Sequence, residues 1–223
     1  MQQSDDIRFD CPSADELAGD KESWRIYEES LPPEEREPSE VILDSLRRSL
    51  GAALRARHAG VTIGIATTHL LLDPAAVFLV YLAIDSRYRD AGNGAMLFEY
   101  AWSSSEVQLR GRGYNPLGLI WEVDDPREAG NPNEELLRRR RIRFFERQGG
   151  AILARPYLQP PVNGTEPVPM QLMYRPSKGV TMPDAATIDA LVRAIYFEKY
   201  GGMNGIPSQT LQSLLTASPP FRI

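Results

Sequence analysis

The sequence has few of the residues that build disulfide frameworks or metal sites, since it contains one cysteine and two histidines among 223 residues. Cys11 has no second cysteine to form a disulfide within the chain, and with two scattered histidines it does not complete a zinc site. No apolar run approaches the ~18 residues of a membrane-spanning helix, and the start of the chain is polar and acidic, unlike a secretory signal. We therefore expect a reduced, metal-free, cytoplasmic protein.

The sequence also has fewer basic than acidic residues. Acidic residues outnumber basic ones by 30 to 25, which gives a formal charge of −5 at pH 7 and argues against a general affinity for nucleic acid or for anionic membranes. Residues 1–45 hold 14 acidic and 4 basic side chains, so this segment carries −10 and the remainder +5. We expect residues 1–20 to form a flexible acidic start. The hydrophobic share of 42% is nevertheless that of a globular protein with a substantial core.

Helical and strand patterns alternate along the chain. Apolar residues three or four apart predict helices at 22–30, 38–50, 95–105, 134–148 and 183–200. Runs of β-branched and apolar residues predict strands at 53–57, 61–69, 77–84, 117–123, 151–154 and 170–174. A proline-rich crossover separates the last two strands, and at most one short helix follows residue 200. The alternation predicts an α/β (mixed α+β) protein built around a mixed sheet.

The segment 89–94 (RDAGNG) lies between a buried strand and a helix. Its two glycines let the backbone turn tightly and leave several N–H groups free at a helix N-terminus, an arrangement suited to a pyrophosphate. Arg89 would add a charge-assisted contact to the same phosphates. The segment lacks the third glycine of a dinucleotide-binding fingerprint and the Gly-Lys-Ser/Thr of a P-loop. The alternative is a glycine-capped turn that binds nothing.

Residues 82–97 resemble the acyl-CoA-binding motif of the GNAT superfamily of N-acetyltransferases. In that motif a strand is followed by Arg/Gln-x-x-Gly-x-Gly/Ala and a helix, and the positions that match are Arg89, Gly92 and Gly94. Residues 120–123 (IWEV) are similar to the next strand of the family. Residues 141–150 (RIRFFERQGG) resemble the helix that reads Arg-x-x-x-Phe-Tyr-Glu-x-x-Gly-Phe. The three segments occur in the family's order, and the resemblance covers roughly residues 20–176.

The resemblance implies a GNAT-like fold, with a mostly antiparallel mixed sheet flanked by helices, over residues 1–176. A C-terminal helical extension over 177–223 would pack on this domain or on a partner. The implied activity is transfer of an acetyl group from acetyl-CoA, the co-substrate, to a primary amine by direct attack in a ternary complex. Backbone groups of one strand would pair with the pantetheine arm, N–H groups of the following turn would hold the pyrophosphate, and one asparagine before the next helix would contact the arm. These CoA-binding positions are Leu82, Ala83, Ile84, Arg89, Asp90, Ala91, Gly92, Asn93, Gly94, Ala95 and Asn133.

Acetylation by direct attack needs a general base, an N–H for the oxyanion and a proton donor for the departing thiolate. Glu122 is the candidate base, because partial burial at the end of an apolar strand would raise its pKa toward neutrality. The alternative is a strand cap or an ion pair with an arginine of residues 138–143. The family's tyrosine, the implied thiolate acid, is replaced by Phe145, which has no proton to donate. Tyr157 is the candidate replacement, or a packed aromatic whose hydroxyl caps a loop.

Three further readings stay open. The chain could bind CoA or an acyl-CoA as a sensor or structural ligand without turnover, which Phe145 favours. Helix 183–200 could instead dock on another chain, including a second copy in a homodimer. The acceptor also stays open among a small polyamine, an aminoglycoside-like compound, an amino acid and a protein lysine. The acidic residues 1–45 would favour the approach of a cationic amine.

Overall fold

The computed structural model describes residues 7–163 and 166–217. Their contacts divide the chain into two compact units. The first unit contains the described residues up to 70 together with 79–114, and the second contains 71–78 and the described residues from 115 onward. Strand β4 (Ala75–Ile84) runs through both units.

The first unit is a sheet with helices on both faces. Its other elements are β1 (Ile7–Asp10), α1 (Ala14–Ala18), α2 (Lys21–Ser30), α3 (Ser39–Arg47), β2 (Gly51–His58), most of β3 (Val61–Leu72) and α4 (Asn93–Gly111). The strand order is β1-β2-β3-β4, and β2 pairs antiparallel with both of its neighbours. Ile65 of β3 belongs to the core that α1–α3 cover. Thr68 of the same strand faces the other way and bonds Ser105 of α4 at 2.8 Å.

Local sequence signals explain most of this unit. Helix α2 buries Tyr27, and Trp24 and Leu31 pack against the same core, as the spacing of these three residues predicts. Ile26 is buried in this core as well. The β2–β3 hairpin turns through Ala59 (φ 49°) and Gly60 (φ 80°), the left-handed pair that a two-residue hairpin turn requires.

Helix α3 ends earlier than predicted, at Arg47 rather than residue 50. Gly51, which the sequence suggested as the helix stop, is the first residue of β2. A Cβ atom at this glycine would lie 2.4 Å from the Thr68 carbonyl oxygen, so the close approach of β2 to β3 requires glycine there.

The expectation of a flexible start is wrong for residues 7–20. Strand β1 pairs with β2 from Ile7↔His58 to Asp10↔Arg55. The Arg55 guanidinium binds Asp10 through Nε at 2.8 Å and Asp20 through Nη1 at 2.9 Å. Ser13 and Glu16 cap α1 reciprocally. Residues 1–6 lie outside the described residues.

The second unit is centred on β8 (Val168–Pro176), which pairs antiparallel with β5 (Gly118–Asp124), β6 (Ala151–Ile152) and β7 (Tyr157–Gln159). Helix α5 (Pro132–Arg147) covers one face of β5, where the rings of Trp121 and Phe145 lie 5.0 Å apart. The sequence did not predict β7, because this strand has three residues and lies among the prolines of the supposed crossover.

The C-terminal segment consists of α6 (Ala185–Ala194), a π-helical turn (Ile195–Gly201) and α7 (Ser208–Ala217). It packs on its own unit. The Tyr196 hydroxyl donates to the Leu158 carbonyl at 2.5 Å, and the Glu198 carboxylate accepts from the Leu72 N–H at 2.8 Å. Across the described ranges, none of the helices combines the length and apolar character that a bilayer crossing requires.

Candidate active site

A left-handed glycine opens α4. Gly92 is the N-cap residue at φ 82°, and Asp90 just before it is also left-handed at φ 64°. No side chain caps this helix. The first-turn N–H groups of a helix have no acceptor within it, and they lie at the positive end of the helix dipole. The start of this 19-residue helix therefore presents N–H groups to an anion. Four other helices, α1, α2, α5 and α6, have side-chain caps: Ser13, Asp20, Asn131 and Asp184.

Two side chains brace the turn between β4 and α4. Arg89 donates from Nε to the Ile84 carbonyl at 2.9 Å, and the buried Asn93 donates from Nδ2 to the Tyr88 carbonyl at 2.8 Å. Within the described residues, the terminal nitrogens of Arg89 make no hydrogen bond, and residues 89–92 are exposed. A Cβ atom added to Gly92 would meet nothing within 4 Å. Hydrogen bonds thus hold the backbone of the turn, the space beside Gly92 is open, and the terminal nitrogens of Arg89 can bind a ligand.

Asp85 anchors this turn to α2. Its carboxylate is 4% exposed and accepts hydrogen bonds from the Arg87 N–H at 2.9 Å, from the Arg87 side chain at 2.7 Å and from Arg25 of α2. The hydrogen bonds from Arg87, with those from Arg25, hold the pKa of Asp85 well below its usual range. The group is therefore ionised wherever the protein is folded at ordinary pH.

Asp85→Asn should lower the melting temperature by roughly 4–8 °C at pH 7, because about 2 kcal/mol of charge-assisted hydrogen bonding is lost. The folded-state pKa is depressed, so this stabilisation is complete above the unfolded value of about 3.9 and is lost as the pH falls toward the folded value. The difference in melting temperature between wild type and variant, measured by calorimetry, should therefore become smaller below about pH 4. Glu22→Gln removes an exposed partner of the same Arg25 and should change little. A difference that is constant with pH would contradict this role of Asp85.

In the second unit, the candidate base Glu122 is held by three donors. The Tyr157 hydroxyl bonds its Oε1, Gln159 donates from Nε2 to Oε2 at 2.7 Å, and the Tyr200 hydroxyl lies 2.9 and 2.8 Å from the two oxygens. Glu122 is half-buried. Such a set of donors stabilises a carboxylate and fixes its orientation. Arginines of α5 pair with other acids: Arg138 with Glu134, Arg139 with Glu135 and Arg141 with Asp124.

Tyr157 lies beside Glu122 and donates a hydrogen bond from its hydroxyl to that carboxylate. Burial, followed by the charge of Glu122, raises the pKa of Tyr157 well above 10, so the hydroxyl stays protonated. The proton is directed to the Glu122 carboxylate rather than to a loop carbonyl. The structure thus brings both predicted catalytic residues into one hydrogen-bonded group. The part of Tyr157 as a thiolate acid stays a prediction.

No family model matches the sequence, and no curated protein matches it either. Solved structures do match. A protein assigned to the GNAT family of acetyltransferases from Bacteroides thetaiotaomicron aligns with a TM-score of 0.66 and 20% identity, over 87% of this chain and 98% of that one. Arabidopsis thaliana NAA60 in complex with acetyl-CoA aligns with a TM-score of 0.55 and 16% identity, over 78% of this chain and 99% of that one. Ard1 from Thermoplasma volcanium aligns with a TM-score of 0.53 and 21% identity, over 79% of this chain and 99% of that one. The chain has the GNAT fold.

The GNAT fold confirms the fold class and the order of elements that the three sequence segments implied. One detail of the implied CoA site is wrong. Asn133 was expected just before the helix, but it lies inside α5, and Asn131 is the N-cap residue, accepting from the Glu134 N–H at 3.0 Å. The pattern Asn-Pro-Asn offers two candidates, and Pro132 suits the first helical turn, which leaves Asn131 as the cap. The CoA contact predicted for Asn133 stays a prediction.

Within this GNAT fold, sequence reasoning missed two members of the Glu122 group. Gln159 lies on β7, which the prolines concealed, and Tyr200 lies on the C-terminal segment beyond the GNAT motifs. Tyr196 and Tyr200, four residues apart, gave a signal for a buried helix face but none for its partner. Phe145, which the sequence motif aligned with a tyrosine, is buried, and its ring packs against Trp121. The described residues also contain no group of His, Cys, Asp and Glu side chains suited to a metal ion.

Proposed function

We propose that this protein is an N-acetyltransferase that moves an acetyl group from acetyl-CoA to a primary amine by direct attack in a ternary complex. The start of α4 carries the proposal. It combines an uncapped helix N-terminus, a left-handed Gly92 with open space beside it, and the available terminal nitrogens of Arg89. These features suit a pyrophosphate and fall where the GNAT motif was identified. The solved NAA60 structure with the same fold holds acetyl-CoA.

The phosphate-binding part of the proposal uses backbone N–H groups from Arg89 to Ala95 and the Arg89 guanidinium. Backbone groups of the β4 residues Leu82, Ala83 and Ile84 would pair with the pantetheine arm. The Ile84 carbonyl already accepts from Arg89, which links the strand end to the phosphate turn. When bound, acetyl-CoA supplies the thioester carbonyl carbon and the departing thiolate.

Glu122 is the proposed base. As the amine nitrogen forms its bond to the carbonyl carbon and the carbon–sulfur bond breaks, the proton on nitrogen passes to the Glu122 carboxylate, directly or through one water. Three donors hold this carboxylate in one orientation, which favours a defined proton path. Tyr157 keeps its proton at neutral pH and is the proposed acid for the thiolate, a step in which its bond to Glu122 must break.

A binding protein without turnover is the second candidate, and Phe145 favours it. The residue stands where the family's tyrosine would protonate the thiolate, and a phenyl ring has no proton to give. Both candidates require binding of CoA or an acyl-CoA, and only the first predicts acetyl transfer to an amine. Release of free CoA thiol in the presence of a panel of polyamines, aminoglycosides, amino acids and lysine peptides separates them.

Acetyl-CoA should stabilise the purified protein against heat. At ~100 times the dissociation constant a ligand stabilises the folded state by about 2.7 kcal/mol, which raises the melting temperature of a chain of this size by roughly 5–10 °C. Pantetheine, which lacks the pyrophosphate, should give no comparable rise at the same concentration. If acetyl-CoA produces no shift, the turn before α4 binds no phosphate and the transferase proposal fails.

A further inference from the structure

The π-helical turn at Ile195–Gly201 directs two buried tyrosines at the β5–β8 sheet. Tyr196 and Tyr200 are 0% and 2% exposed. The Tyr196 hydroxyl donates a hydrogen bond to the Leu158 carbonyl at 2.5 Å. The Tyr200 hydroxyl instead lies within hydrogen-bond distance of both carboxylate oxygens of Glu122. Insertions of π-helix into an α-helix are rare and are frequent at functional sites. The two tyrosines therefore share a buried position on the same turn but have different hydrogen-bond acceptors.

Tyr200 is fixed in place by more than its hydroxyl. Its ring packs edge-on against Phe78 with the centroids 6.3 Å apart, and Gln159 Nε2 lies 3.4 Å from its oxygen. The adjacent Glu198 carboxylate accepts hydrogen bonds from the backbone at 72 and 73, which ties the same turn to the β3–β4 connection. The hydroxyl is thus held against Glu122 by a supported helix rather than by a loose side chain.

The donors to Glu122 come from two elements. Strand β7 supplies Tyr157 and Gln159, and the π-helical turn supplies Tyr200. The nearby Arg155 guanidinium is bound to Asp189 of α6 at 2.6 Å, and Lys199 donates to Asn204 at 3.1 Å. The three hydrogen bonds to Glu122 from Tyr157, Gln159 and Tyr200 come from neutral donors, and the removal of one of them has a large effect on a half-buried carboxylate.

We propose that Tyr200 is a positioning residue for the base, so that the C-terminal segment completes the active site and is not an appendage to it. This inference rests on the proposed function, in which Glu122 takes the proton from the amine. The Tyr200 hydroxyl donates to the ionised Glu122 carboxylate, which stabilises the charge and fixes the orientation of the group. The sequence motifs that resemble the GNAT family end near residue 176, so Tyr200 supports Glu122 from outside the region that those motifs cover.

The test compares Tyr200→Phe with Tyr196→Phe in the full-length protein. Each variant removes one buried hydroxyl from the same helical turn and keeps the ring, but only Tyr200 touches Glu122. Carboxyl-carbon NMR of glutamate-labelled protein, with the Glu122 signal assigned by its loss in Glu122→Gln, reports the titration of this group. The midpoint should rise by about 1–2 pH units in Tyr200→Phe and stay unchanged in Tyr196→Phe.

Kinetics provide the second readout. The acid limb of the kcat/KM profile should move up by the same amount in Tyr200→Phe, so activity is lost at pH values between the two midpoints and recovers at higher pH. Equal midpoints in wild type and Tyr200→Phe, or equal shifts in the two tyrosine variants, would overturn the inference. A shifted titration in a protein that acetylates no amine would leave Tyr200 as the support of Glu122 and remove the proposed function. If Tyr200→Phe does not fold, Gln159→Leu removes another donor and should raise the midpoint in the same direction.

Discussion

Replacing Gly92 by valine should weaken acetyl-CoA binding by about 100-fold or more, because loss of two charge-assisted hydrogen bonds to a pyrophosphate costs about 3 kcal/mol. The space that the new side chain would enter is open, since a Cβ atom at Gly92 meets no protein atom within 4 Å. A valine there would project over the N–H groups at the start of α4. Isothermal titration calorimetry with acetyl-CoA measures the loss directly.

The same substitution at Gly113 is the matched control. Gly113 lies just beyond the other end of α4, has φ 86° against 82° at Gly92, and also has open space beside it. Each variant carries a similar conformational penalty of about 1–2 kcal/mol, because a side chain is forced into a left-handed conformation. The two proteins should therefore lose similar stability while only Gly92→Val loses acetyl-CoA binding. Retained binding in Gly92→Val would show that the turn does not hold the phosphates.

Local patterns explain why much of the GNAT fold could be predicted from the sequence. The stripe through Trp24 and Tyr27, the tight turn at 59–60 and the apolar run of β4 each depend on residues close together in the chain. Glu122 was found in the same way, from the short segment IWEV. Every one of these features is encoded within about ten residues, where periodicity and turn chemistry are informative.

The features that were missed depend on contacts between distant parts of the chain. Strand β1 is ordered by pairing with β2, and Arg55 supports it by binding Asp10 from 45 positions away. Tyr200 meets Glu122 across 78 positions. In the sequence, a tyrosine on an apolar stripe reads as core, and only the fold shows that its hydroxyl ends on a carboxylate. Glu122 could therefore be predicted as the candidate base, whereas the contacts that hold its carboxylate could not.

Glu122→Gln should reduce kcat by roughly 10²- to 10⁴-fold while the melting-temperature rise on adding acetyl-CoA stays that of the wild type. An amide does not accept the proton of the attacking amine. The variant also presents an NH₂ group to Tyr157, Gln159 or Tyr200, each of which donates to the wild-type carboxylate, so it should lose about 1–3 kcal/mol of stability. Activity must therefore be measured well below the lowered melting temperature.

Asp124→Asn is the control that distinguishes an effect of the Glu122 carboxylate from a general effect of substitutions in β5. Asp124 lies two residues beyond Glu122 on the same face of β5, and its carboxylate pairs with Arg141 at 2.6 Å instead of with the tyrosine group. Its loss should leave kcat near the wild-type value. Unchanged turnover in Glu122→Gln would place the base elsewhere, and equal losses in the two variants would attribute the effect to β5 as a whole. A loss of kcat that is confined to Glu122→Gln, with acetyl-CoA binding intact, is the result that proton removal from the amine by Glu122 requires.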